Sequence, residues 1–193
     1  MSKLAVRGLV LGTVIALLGV GSYAIAGGGS KNFSGSPMTG FEENPDLSTT
    51  GNGLFTARLS NDGTSIHYKL SYSGLEGTVT QAHVHFAKRA LNAGISFWLC
   101  ETATNPSPSA STPACPMPGG TVEGDITAAE VIGPAAQGIE PGNLAEILAA
   151  MRAGHAYANV HSSKYGGGEI RAQIKKGRGG DHDKGKKRHD DDD

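Results

Sequence analysis

Two adjacent stretches with a period of two constrain the fold more than anything else in the chain. From Ser65 to Ser73, the residues Ile66, Tyr68, Leu70 and Tyr72 fall on one face and His67, Lys69, Ser71 and Ser73 on the other. That is the pattern of an antiparallel strand with one face buried. Leu54 to Ser60 alternates in the same way, with Phe55, Ala57 and Leu59 together, and Asn61-Asp62-Gly63 between the two supplies hairpin-turn chemistry. Further strands are expected at Val79 to Phe86, Gly94 to Leu99, Thr121 to Ile126, Ala156 to Ser162 and Glu169 to Ile174. The 29 glycines and the 6% of aromatic residues favour short strands and turns over long helices. Helical cues are few. Thr127-x-x-Glu130 is a capping-box pattern, and Asn143-x-x-Glu146 heads a stretch with Leu144, Ile147, Leu148 and Met151 at helical spacing, ending at Gly154. The expected fold is all-β: an antiparallel β-sandwich with one or two short helices.

The ends of the chain have a different character. Lys3 and Arg7, an apolar run from Leu9 to Val20, and Ala24-Ile25-Ala26 make residues 1–26 read as a secretory signal peptide cleaved after Ala26. The apolar run is short of the roughly 20 residues that span a bilayer, so no membrane span is expected after cleavage. Residues 27–36, rich in Gly and Ser, read as a flexible leader into a domain at 37–174. Residues 175–193 hold only Lys, Arg, Gly, His and Asp, which can bury no core, and read as a charged disordered tail. His182, His189 and the tail aspartates raise surface binding or metal scavenging as alternatives to a merely solvated tail. The net charge of −1 leaves the folded part without the clustered basic face that nucleic acid requires. A secreted or periplasmic location follows, with an extracellular protein or envelope component as the expected class of partner. Cys100 and Cys115 fit the oxidising compartment that export implies, and a disulfide between them closes the Pro-, Ser- and Thr-rich loop from Glu101 to Ala114. Free or metal-binding thiols are the alternative, although the pair matches no zinc-site pattern.

The punctuation of the strands resembles the CHRD domain, a module first defined by the repeats of chordin and common in exported bacterial proteins. The residues that carry the resemblance are Met38-Thr39-Gly40-Phe41-Glu42-Glu43-Asn44-Pro45, Gly51-Asn52-Gly53, Gly74-Leu75-Glu76-Gly77 and Ala82-His83-Val84-His85. Toward the C-terminus Gly154-His155-Ala156-Tyr157-Ala158-Asn159-Val160-His161 and Gly168-Glu169-Ile170-Arg171-Ala172-Gln173-Ile174 complete it. The opening motif departs from the family's Glu-Val-Pro-Pro-like run, and Ala172 stands where a glycine is usual. The resemblance implies an antiparallel β-sandwich used outside the cytoplasm. It assigns little biochemistry, and fold alone does not name a function.

His83 and His85, two apart on a strand, point to one face. If the Ala156 to Ser162 strand lies alongside, as the family pattern suggests, His161 adds a third imidazole and Glu169 a carboxylate. Such a set suits zinc or copper better than calcium or magnesium. The competing reading is a hydrogen-bonded polar cluster tying strands together, with Arg171 engaging Glu169 in a salt bridge. His67 and His155 read as incidental. The His-Val-His element also bears a weaker similarity to the copper-zinc superoxide dismutases, but the loop from Glu101 to Ala114 lacks the histidines and aspartates of their metal-binding loop. No Gly-x-Ser-x-Gly elbow, phosphate loop, dinucleotide fingerprint or His-Glu-x-x-His run is present. The expected function is therefore an exported non-enzymatic module with a binding or structural role; the alternative is a histidine-based zinc or copper protein, remotely superoxide-dismutase-like, with no catalytic residue assigned.

Overall fold

The expected hairpin forms and anchors the sheet. In the computed structural model, which describes residues 29–177, β2 (Asn52–Leu59) and β3 (Ile66–Ser73) pair antiparallel from Asn52 opposite Ser73 to Leu59 opposite Ile66. The apolar face of β3 is buried and its polar face exposed, as alternation requires. Around this hairpin stand β1 (Asn32–Thr39), β4 (Val79–Phe86), β5 (Ile95–Cys100), β6 (Gly120–Ile126), β7 (Ala156–Ser162), β8 (Ile170–Gln173) and β9 (Lys175–Lys176). The order across the sheet is β5-β4-β7-β8-β1-β2-β3-β6, with β9 paired to β1 and every pairing antiparallel. The all-β expectation holds. The two faces of the sandwich are halves of one continuous sheet that folds over until its edge strands β5 and β6 approach each other. Cys100, at the end of β5, forms a disulfide with Cys115 just ahead of β6, and the Tyr68 hydroxyl on β3 donates to the Leu99 carbonyl on β5 at 2.6 Å.

Phe33, Phe55, Tyr68, Leu70, Phe97, Leu99, Val160 and Ile170 fill the space between the halves. The one α-helix among the described residues, α1 (Leu144–Ala153), buries Leu144, Ile147, Leu148 and Met151 and packs near β7 and β9. Asn143 caps it by accepting from the Glu146 amide, and Gly154 ends it in the left-handed region at φ 74°. The Thr127–Glu130 capping box opens a 3₁₀ turn, Ala128–Glu130. Among the described residues, no helix is long and apolar enough to cross a membrane.

Two boundaries differ from expectation. Residues 32–36 of the expected leader belong to β1, where Phe33 is buried and pairs with Ala57 and Lys176. Their small side chains read as linker, but Gly35 is small for packing: a Cβ there would stand 3.3 Å from the Ala172 Cβ on β8. Lys175 and Lys176, assigned to the tail, form β9 against Phe33 and Ser34. The signal peptide with its cleavage point after Ala26, and the tail from residue 178 onward, lie outside the described residues.

Candidate metal centre

β7 and β8 are the strands whose residues are buried on both faces. Their even-numbered side chains Ala156, Ala158, Val160, Ile170 and Ala172 belong to the apolar core, and only Ser162, at the end of β7, is polar. The odd-numbered ones, Tyr157, Asn159, His161, Arg171 and Gln173, are polar and equally buried. Loops explain this. The segment after β4 folds across the outer face of the sheet: Gln173 Nε2 donates to the Ala87 carbonyl at 2.8 Å, and Arg171 donates to the carbonyls of Leu91 at 2.8 Å and Lys88 at 3.4 Å and to Asn92 Oδ1 at 3.2 Å.

Register brings the histidines together under this cover. His83 stands opposite Asn159 and beside Trp98 of β5, while Asn159 stands opposite Arg171, so Trp98, His83, Asn159 and Arg171 form one rung across four strands. His85 lies opposite Tyr157 and stacks on its ring at a centroid distance of 4.6 Å, and the Arg171 guanidinium lies 3.3 Å over the same ring. His161 is one register step along, opposite Gln81. One nitrogen from each of His83, His85 and His161 lies within 4.8 Å of the others, and all three residues are buried. The fold therefore brings the three rings close together.

The hydrogen bonds decide where the lone pairs point. His85 Nδ1 donates to the Ala93 carbonyl and His161 Nδ1 to the Gly166 carbonyl, each at 2.9 Å. A backbone carbonyl accepts only, so both rings carry their proton on Nδ1 and expose a lone pair at Nε2. This orientation of a second ring nitrogen by a carbonyl is what holds metal-ligating histidines in place. The two Nε2 atoms face the same point, the Asn159 Oδ1 atom, at 3.0 Å and 3.1 Å. His83 Nδ1 reaches His161 Nε2 at 3.2 Å, and His83 Nε2 is buried without a partner. Burial, reinforced by the neighbouring imidazoles, holds His83 down to about 2; burial holds His85 down to about 4 and lowers His161. All three are thus neutral, the state that a metal requires of imidazole. His161 Nε2 can accept from a proton on His83 Nδ1. The Asn159 oxygen, however, faces two nitrogen lone pairs with no proton on the lines between them, which is reconciled if the amide turns so that its NH₂ group serves both imidazoles or if a cation sits among them.

Glu169, expected as a further ligand, is not brought into this group. Its Oε1 accepts from the Thr49 hydroxyl at 2.7 Å and from the Glu76 amide at 2.6 Å, so it ties the loop before β2 to the loop before β4. Nor does it pair with Arg171, whose donors go to the covering loop. The acid that does approach is Glu43, in the turn after β1. It is 5% exposed, its Oε1 has no hydrogen-bond partner, and burial pushes its carboxyl up to about 7 against the pull of Arg171. A Cβ at Gly168 would stand 2.5 Å from Glu43 Oε1 and 2.7 Å from Asn159 Nδ2, so the carboxyl and the amide flank the space beside that glycine. Glu43 is separated from Asn159 by more than a hundred residues, and no periodicity could have linked them. Its place in the Gly40-Phe41-Glu42-Glu43 motif was the one available signal.

Comparison with known proteins adds one finding: the CHRD domain matches residues 35–174, well over half of the chain. No curated protein and no solved structure matches it.

Proposed function

The chain belongs to the CHRD domain family, and from that premise we propose that it is an exported, non-enzymatic member that holds one zinc or copper ion between His83, His85 and His161. One observation carries the metal reading: His85 and His161 each spend Nδ1 on a backbone carbonyl and aim the Nε2 lone pair at a single buried point beside His83. The chemistry of the donor set fits, because neutral imidazoles select zinc or copper over calcium or magnesium. An ion in this position would join β4 to β7 and, through Ala93 and Gly166, fix the loops that cover them. The burial of all three imidazoles supports a structural or binding role in the module and not turnover, which needs a coordination position that substrate can reach. The Cys100–Cys115 disulfide supports an oxidising compartment, and an extracellular protein or envelope component remains the class of partner that such a module would meet.

The test is metal content by mass spectrometry on untagged protein, beside a His83→Ala, His85→Ala double variant. Near one zinc or copper per chain in the parent, lost in the variant, is the expected result. Parent protein that is metal-free and refuses both added ions would leave the histidines as a hydrogen-bonded tie between strands.

A further inference from the structure

The three imidazoles leave an ion short of a fourth protein ligand, and the atom at which His85 and His161 both point is an oxygen. We infer that Asn159 supplies that ligand through Oδ1 and that buried Glu43 holds the carboxamide in this orientation by accepting from Nδ2; the inference rests on the metal reading above. Asn159 Oδ1 lies 3.0 Å from His85 Nε2 and 3.1 Å from His161 Nε2, and His83 Nδ1 lies 3.2 Å from His161 Nε2. Donors bound to one ion at about 2.0–2.2 Å stand roughly 3.0–3.6 Å apart at tetrahedral to square angles. These three separations fall in that range, and the nitrogens of the three imidazoles lie within 4.8 Å of one another.

The backbone favours the assignment. Asn159 is the middle residue of β7, paired to His83 on one side and Arg171 on the other, so its Cα cannot shift without breaking two ladders. Only rotation of the side chain remains free, and Glu43 bears on that rotation. Its orphaned Oε1 faces the same space as Asn159 Nδ2, and Gly168, at φ +128°, keeps that space clear. Arg171 acts on Glu43 through its charge, but its hydrogen-bond donors are directed at Lys88, Leu91 and Asn92. A Glu43 carboxyl oxygen that accepts from Nδ2 across the space beside Gly168 keeps Oδ1 turned toward the imidazoles. The same pairing explains why a carboxylate near this site need not touch the ion.

The experiment is titration of the metal-free, disulfide-intact protein with zinc and with cobalt(II), following affinity and the visible spectrum of the cobalt form. Asn159→Ala is expected to weaken zinc binding at least as much as loss of an outer-shell partner does, about 10- to 100-fold, and to change the cobalt spectrum. Asn159→Asp, which keeps an oxygen in place, is expected to retain binding and the parent band shape. Glu43→Leu should weaken affinity about tenfold with the band shape kept, as for a positioning residue. Parent-like affinity and spectrum in Asn159→Ala would overturn the ligand assignment, and unchanged affinity in Glu43→Leu would overturn the role of Glu43. Failure of the parent itself to bind either ion would overturn the metal reading and this inference with it. Binding by Asn159→Asp, with its fold checked by circular dichroism, guards against mistaking a misfolded Asn159→Ala for a lost ligand.

Discussion

Replacing Arg171 tests how the polar face of β7 and β8 is held under its loop. The side chain is 1% exposed and donates to the Leu91 carbonyl at 2.8 Å, to Asn92 Oδ1 at 3.2 Å and, at a longer 3.4 Å, to the Lys88 carbonyl, while lying 3.3 Å over the Tyr157 ring. Hydrogen bonds from a charged donor contribute about 1.5–3 kcal/mol each, and a desolvated cation over an aromatic ring about 2 kcal/mol. Two good bonds and the ring contact therefore sum to about 5–8 kcal/mol gross. Returning a buried guanidinium to water offsets part of that sum. Arg171→Met, which keeps the volume of the stem, should cost about 3–5 kcal/mol, because two backbone carbonyls and an amide oxygen lose their donors in a buried place. Urea unfolding followed by circular dichroism measures the loss. At 2–4 °C per kcal/mol for a domain of this size, the melting temperature should fall by roughly 10 °C. Arg171→Lys keeps the charge beside Glu43 and Tyr157 but not the planar fork, and should recover only part of the loss. A cost under about 1 kcal/mol for Arg171→Met would refute the reasoning: the loop would then be held by its other contacts, and the guanidinium would be a passenger.

Two further outcomes are expected. Cys100→Ser with Cys115→Ser opens a link spanning 15 residues between the edge strands and should lower stability by about 3 kcal/mol on chain-entropy grounds, read from the urea midpoint; an unchanged midpoint would count against it. In metal-free protein, His83 and His85 fold with pKa values near 2 and 4 against an ordinary 6.5, so the unfolded chain binds more protons below pH 6.5. Their contribution is complete above about pH 6.5 and is lost as pH falls, down to about 4 for His85 and about 2 for His83. Glu43, raised from 4.5 to about 7, acts in the opposite sense, its contribution complete below 4.5 and lost as pH rises through 7. With the imidazoles outnumbering the carboxyl, the melting temperature in a chelating buffer should drop between pH 6.5 and 4.5. A flat or rising profile there would show the buried histidines to be charged or exposed.

Period-two alternation made β2, β3 and their turn legible from the residues alone, because a strand with one wet face must alternate and Asp62-Gly63 can only turn. Helical spacing with its caps did the same for α1. The CHRD-like punctuation was also readable, and so was the shared face of His83 and His85, since residues two apart on a strand always share one. Alternation names the sides of a strand but not what lies against them, and there tertiary structure decided. Glu169 and His161 both stood on the expected face, yet Glu169 was drawn away by Thr49 and the Glu76 amide while His161 was turned inward by Gly166. Phe33 and Gly35 looked like linker until β8 and β9 were seen to pack against them. Asn159 and Glu43 acquired significance only when the turn after β1 came to rest beside the middle of β7. Local pattern is set by a residue's immediate neighbours along the chain. A buried polar site is assembled from segments far apart in sequence, and its chemistry depends on contacts that exist only once the sheet has folded over.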